Sequence, residues 1–371
     1  MKVYHVEHPT IEELLGQNSN IFHIPDYQRR FAWEKYNLND LWNDIKILKP
    51  EDMHFLGSIV VIARPHSTTK SNPLEIVDGQ QRLTAVSLLL CALRDYFKEN
   101  GKENIALQIN SKYLHIVDLE GKIVGTKLEL GNLDSKDYSN LIKSNLDDIE
   151  NGRLKNAYSF FKEKIEELED LNKIKEFYRK LLKNIICVVI SVDQDSDAYR
   201  LFETLNIRGL PLSPIDLIKN HLFRVCFRRE DVDLEIIKDY WGQIITNLDK
   251  ENVNAIRFFR QYIMSAKHPE IKEKISESKL YDKFKRVIDK DVTNVMKYVR
   301  DIKNQSSLYA KICLAEIDLF DERHNQELNL HLRYLSDIGA VTSYTLLLRS
   351  FREVDYWRDI LRLHPEIDKL G

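Results

Sequence analysis

The period of the apolar positions changes several times along the chain, and each change marks an element boundary. Leu83, Val86, Leu90 and Leu93 recur at helical spacing, so the run from Gln80 to about Asn100 is expected to be a helix. Directly before it, Leu74 to Val77 reads as the end of a buried strand, and Asp78-Gly79 makes the corner between the two. Upstream, 54–62 is rich in β-branched residues and reads as a central strand, while Leu38, Leu41, Trp42, Ile45 and Leu48 give a packing helix. Thr10 with Glu13 three residues on starts a short capped helix, and 21–24 is a strand ended by Pro25. The stretch 184–192 is the most β-like in the chain and reads as fully buried. Between these parts, 103–131 is expected to form short strands, clearest at 113–117, with Gly121 and Gly125 as turns. Residues 132–170 are charged and helical, with Leu154, Ala157, Phe160, Phe161 and Ile165 as their apolar face. Beyond about Phe227 only amphipathic helices follow, near 232–247, 252–265, 278–302, 305–320, 326–337 and 339–350.

The fold class that follows is α+β. A small mixed-sheet domain over 1–226 carries an insertion at about 100–183, and an all-helical domain occupies 227–371. Only 12 glycines and 9 prolines in 371 residues agree with a largely helical chain. The 55 basic and 58 acidic side chains leave a net charge of -3, so no bulk basic field announces nucleic acid, and any such contact has to be a local patch such as Arg224, Arg228 and Arg229. Four cysteines at 91, 187, 226 and 313 show no CxxC spacing, which argues against a zinc ribbon and for reduced, mostly buried thiols. No apolar run approaches the roughly 20 residues that cross a bilayer, and no signal-peptide pattern opens the chain, so a cytoplasmic protein without membrane contact is expected. His115 has no second ligand-type residue at metal spacing and is read as structural.

Three stretches carry candidate chemistry. At the corner, glycine accepts backbone angles closed to other residues, so the chain can turn sharply into a helix whose first amides lack internal partners. Those donors, the helix dipole and Arg82 in the first turn would make an anion pocket, with phosphate its natural occupant. Gln80 and Gln81 add uncharged groups able to hold a water or a sugar hydroxyl. The plainer alternative is a strand-to-helix turn in which Arg82 pairs with Asp78. The second stretch, 26–33, packs Arg29 and Arg30 among Tyr27, Phe31 and Trp33. Either these residues clamp a base and a phosphate, or the aromatics are core and the arginines ion-paired. In the third, Gly209 can end a helix at 197–205, and Ser213 can cap the next one with Pro214 in first position. Asp216 and Lys219 then share a helix side, while capping gives no reason for Asn206 and Arg208.

With IPDYQRRFAW, FLGSIVV, IVDGQQRLTAVSLLL and FETLNIRGLPLSPIDLIKN in this order, the chain resembles the N-terminal domain of GmrSD-type proteins. These are modification-dependent (type IV) restriction and anti-phage proteins, whose N-terminal domain is similar to the ParB/sulfiredoxin fold. The likeness covers roughly the first 225 residues, and the helical remainder resembles the region that follows in the family. It implies a nucleoside triphosphate site signed by Asp78, Gly79, Gln80, Gln81 and Arg82, with Gln28 and Arg29 from the YQR element. Thr84 in the following turn is a further nucleotide-binding candidate, and Asn206, Gly209, Asp216 and Lys219 come from the third motif. The implied activity is NTP hydrolysis coupled to restriction of modified DNA, with GTP the first expectation and Mg²⁺ as companion ion. In the roles we assign, Arg82 and the helix amides hold phosphate charge and Gln80 or Gln81 positions the attacking water. Arg29 neutralises charge as a phosphate leaves, and Asp78 alternatively holds Mg²⁺ through water.

Family members of a single chain also carry a His-Asn-His nuclease. His324, His331 and His364 lack the strand-turn-helix and Asn partners of such a site, so cleavage is assigned to a further domain or a separate subunit. Assembly into a homo-oligomer through the helical half stays open. Two other readings compete with the NTPase: a DNA-binding or interaction module whose nucleotide site is regulatory or vestigial, and a ParB-like nuclease, for which clustered carboxylates are missing.

Overall fold

The structure, a computed structural model, describes residues 5–17, 20–63, 73–150, 152–193, 213–227, 229, 232–250, 252–266 and 275–352. The expected helix at 197–205, and with it Asn206, Arg208, Gly209, Arg228 and His364, lies outside the described residues. The chain divides into two compact units, Met1–Phe202 and Glu203–Gly371. This division falls earlier than the expected boundary at 226, and it assigns the helix that opens at Pro214 to the second unit.

In the first unit, β1 (His5–Glu7) leads into α1 (Ile11–Gly16), whose Thr10–Glu13 capping box forms as its spacing requires. Next come β2 (Phe22–His23), α2 (Lys35–Ile47), β3 (His54–Ala63) and β4 (Leu74–Asp78), followed by the long α3 (Gln80–Glu99). The chain goes on through α4 (Glu103–Gln108) and a π-helical turn at Ile109–Leu114 to β5 (His115–Val117), β6 (Ile123–Thr126) and β7 (Leu128–Glu129). Three helices follow, α5 (Asn132–Ile142), α6 (Gly152–Glu166) and α7 (Leu171–Lys183), before β8 (Ile185–Val192).

The main sheet has the order β1-β8-β3-β4-β2-β7. β3 runs parallel to β8 and antiparallel to β4, and β2 runs parallel to both β4 and β7. A parallel pair needs a crossover, and the chain from α3 to α7 supplies it for β3 and β8. Ile59, Val61 and Ile76 of the sheet and Leu83, Val86, Leu89, Leu90 and Leu93 of α3 are buried in one core. α3 is apolar nearly all round its middle, which is the pattern of a helix enclosed on every side.

The region expected to be an insertion is part of that same core: Leu154, Ala157 and Phe161 of α6 are fully buried in it. Its first part, 103–114, is helical and not stranded. Ala106, Ile109 and Tyr113 are buried at intervals of three and four, the period of a helix. The charged helical stretch forms two helices, separated where Ser144 takes a left-handed conformation with φ of 60°.

The second unit is helical over its described residues: α8 (Pro214–Phe227), α9 (Leu234–Leu248), α10 (Ala255–Ser265), α11 (Leu280–Lys290), α12 (Val295–Leu314), α13 (Glu322–Asp337) and a last helical stretch at 344–352. Aromatic packing makes its core, with Trp241 stacked on Phe259 at 5.8 Å and Phe258 beside Tyr262 and Tyr309. The break expected near 303 falls instead at Asp291, whose carboxylate accepts from the side chains of Thr293 and Asn294 in the short turn before the next helix. α12 therefore runs on without interruption to Ala315, left-handed at φ of 54°.

Candidate functional site

β4 delivers the chain to Gly79, which stands at φ of 96° and opens α3. Glycine is required there twice over. The angle is left-handed, and a Cβ would lie 3.1 Å from the Ser58 carbonyl oxygen and 3.2 Å from Ile59 Cα on β3. Gly79 has no side chain with which to cap the helix, so the N-terminal end of a 20-residue dipole lies at this corner without a cap from its own N-cap residue.

The signature residues divide between two flanks of the corner. On one, Arg82 Nη2 donates to Asp78 Oδ2 at 3.3 Å, and the guanidinium lies against Gly57 of β3. Gly57 has φ of 128°, next to a register shift in the β3–β8 ladder, and a Cβ there would overlap Arg82. The Arg82 side chain is 21% exposed, so this flank reaches solvent. Behind it sits Cys187, whose thiol burial pushes up to about 12 against the opposing charge of Arg82.

On the other flank, a small cavity opens between α3 and the loop after β2, lined by Gln28, Arg29, Arg30, Phe31, Gln80, Gln81, Thr84 and Asp134 among others. It leaves about 20 Å³ for the centre of a water-sized group. The loop is stitched to the corner by two glutamines. Gln28 Nε2 donates to the carbonyls of Ile76 and Val77 at 3.2 and 3.0 Å. Gln81 Oε1 accepts from the Ala32 amide at 2.7 Å, and its Nε2 donates to the Arg30 carbonyl at 3.1 Å. Gln80 differs: it is 8% exposed and its Oε1 has no hydrogen-bonding partner.

In the aromatic and arginine loop, two of the aromatics and one arginine take the plainer of the two expected forms. Tyr27 and Phe31 are core, with the Tyr27 hydroxyl donating to Glu75 Oε1 at 2.5 Å. Arg30 is held by Asp134 at 2.7 Å and by the Leu133 carbonyl at 2.7 Å. The structure thus brings Gln28, Arg29, Gln80, Gln81 and Thr84 to one cavity and sets Asp78 and Arg82 on the opposite flank. Asp216 and Lys219 stand on α8 in the second unit, where Lys219 is buried and Ser213 Oγ accepts from the Ile215 amide as a cap should.

Residues 11–223 match the family described as "GmrSD restriction endonuclease, N-terminal domain". The chain belongs to this family. Membership ties it to type IV restriction. It is also 24% identical over 328 residues to an uncharacterized protein of Methanocaldococcus jannaschii, an alignment that covers 75% of this chain and 53% of that one. A shorter likeness, 33% over 87 residues, links it to the glycine–tRNA ligase beta subunit of Pseudomonas fluorescens, over 23% of this chain and 13% of that one. The chain thus spans about half the length, or less, of these curated relatives.

Sequence reasoning on this GmrSD-family chain missed two parts of the site. Gly57 makes room for Arg82, and an isolated glycine inside a strand pattern was the signal available for it. Asp134 and Asp26 anchor the loop, Asp26 by accepting from the Asn132 amide at 2.7 Å. Both pairings span about a hundred residues of sequence, so no local pattern could announce them.

Among the described residues no helix is long and apolar enough to cross a membrane, and no three His, Cys, Asp or Glu residues converge as a metal cluster. Cys91, Cys187 and Cys226 are free and buried, as the wide cysteine spacing led us to expect. The basic patch is engaged where it is described: Arg224 donates to His221, and Arg229 to the Val292 carbonyl.

Proposed function

We propose that this chain is the nucleoside-triphosphate-binding and hydrolysing module of a type IV restriction system, sensing modified DNA and licensing a His-Asn-His nuclease on another domain or subunit. The observation that carries this reading is the α3 N-terminus: a long helix without a side-chain cap, opened by a left-handed glycine, with Arg82 in its first turn and an unpartnered Gln80 acceptor beside it. Backbone donors and a guanidinium converging on one point suit phosphate oxygens in a solvent-reaching position. Arg82 would exchange the Asp78 carboxylate for phosphate. Mg²⁺ binds through one or two carboxylates plus substrate phosphates, and Asp78 at the end of β4 is the carboxylate beside Arg82.

The test is phosphate release from each of the four ribonucleoside triphosphates with Mg²⁺. Turnover is expected for at least one, GTP first, and should vanish in Arg82→Ala while a cooperative thermal melt shows that the variant stays folded; turnover that survives the substitution overturns the assignment. Two observations favour a second reading, in which nucleotide is bound as a regulator and not turned over. The cavity beside Gln80 is closed to little more than a water, and Arg82 is already paired. Tight nucleotide binding with no phosphate released would select that reading.

A further inference from the structure

The charged side chains around the Gln80 cavity whose contacts are on view are occupied: Asp134 by Arg30 and the Phe31 amide, Asp26 by Asn132. Gln28 and Gln81 are committed to backbone groups. Gln80, a lining residue more than nine-tenths buried, has an acceptor with nothing donating to it. A buried acceptor left unmatched is expensive, so this one calls for a donor from outside the protein. Phosphate oxygens cannot supply it, because they are acceptors. The donor must also be small, since the cavity admits a group the size of one water. A nucleobase edge is too large and flat for that space. A hydroxyl fits, and because it both donates and accepts it would serve either orientation of the Gln80 carboxamide and could use the Thr84 hydroxyl on the same wall.

We propose that this cavity receives a ribose hydroxyl of the nucleotide, with Gln80 accepting its hydrogen bond, so that the site selects ribonucleotides over deoxyribonucleotides. The proposal rests on the nucleotide reading above and deepens it. The corner then has a division of labour: the α3 amides and the Arg82 flank take charge, and the Gln80 flank takes the sugar. For a protein that meets DNA and its precursors, such a filter would keep deoxynucleotides out of the site.

Equilibrium binding of the four ribonucleoside triphosphates with Mg²⁺ should be compared with that of their 2′-deoxy and 3′-deoxy counterparts, in the unaltered protein and in Gln80→Leu. The unaltered protein should bind the ribonucleotide about tenfold or more tightly than one of the two deoxy series, and Gln80→Leu, checked for folding by its thermal melt, should bind both alike. Equal binding of all three series by the unaltered protein overturns the proposal and leaves the nucleotide reading standing, the cavity then holding a water. A preference that survives in folded Gln80→Leu overturns it as well. If no nucleotide binds at all, the nucleotide reading falls and takes this proposal with it.

Discussion

Two arginines on the same helix show how differently one side chain can be used. Arg94, in the middle of α3, is 5% exposed and fully engaged: Nε and Nη2 donate to Asp95 at 2.9 and 3.0 Å, and further bonds reach the carbonyls of Leu141 and Ile142 and the Ser144 hydroxyl. Asp95 in turn accepts from Ser144 at 2.7 Å and from the buried Tyr158 hydroxyl at 2.9 Å. Arg82, three turns earlier, reaches solvent, and its bond to Asp78 is a long one of 3.3 Å. A low-dielectric network in which every group is matched fixes a structure, whereas a half-matched charge at a helix N-terminus can change partners. The comparison separates the arginine that holds the fold from the arginine able to act.

The largest effect that would test this contrast is on stability. Arg94→Met leaves Asp95 buried without its counter-charge, and the Leu141 and Ile142 carbonyls without their donor. A loss of about 3–5 kcal/mol is expected, a large part of the stability of a typical domain. Urea unfolding of the purified protein measures it. A loss under about 1 kcal/mol would mean that the network is ornamental and that the contrast with Arg82 is empty.

Smaller in stability and larger in function is the pair Arg82→Ala and Gly57→Ala. The first should cost about 1 kcal/mol or less, as a part-exposed ion pair does, while abolishing nucleotide turnover. The second keeps the arginine but puts a methyl group where the guanidinium lies, at a backbone angle that alanine rarely adopts. We expect a strain cost of about 1–3 kcal/mol and a fall in turnover that follows Arg82→Ala. Gly57→Ala with unchanged turnover would show that the position of Arg82 against β3 is immaterial.

Much of this was legible in the chain because the decisive signals are local. The strand, glycine and helix around 78–80 follow one another in sequence, and the α1 capping box needs only four adjacent residues. Arg94-Asp95 was not legible as a network, since its partners come from Asn110, Leu141, Ile142, Ser144 and Tyr158. The roles of the two glutamines were equally hidden. Gln80 and Gln81 are neighbours of the same type, but successive helix positions point about 100° apart, so one braces a loop and the other faces a cavity. Residues 106–113 were misread for a related reason: a short helix against α3 and a strand bury the same kinds of side chain, and only the period separates them.

Lys127 sharpens the comparison from the side of a cation that, unlike arginine, can give up its charge. It is 1% exposed, it donates to the Gln17 carbonyl at 2.6 Å, and burial pulls its pKa down to about 8 from the ordinary 10.5. A depressed pKa for a base means that the folded state prefers the neutral amine. Below about pH 8 both states are protonated and folding buries the charge; between about pH 8 and 10.5 the unfolded chain holds more protons, so this group makes stability rise with pH across that window and level off above it. The expected gain is on the order of 1 kcal/mol from pH 8 to 9.5, read by urea unfolding. Lys127→Met should remove that rise while leaving the titration of other groups in place. If the two stability curves run parallel from pH 7.5 to 9.5, the ammonium is already matched in the folded state, and Lys127 belongs with Arg94 among the charges that hold the fold and not between the two arginines.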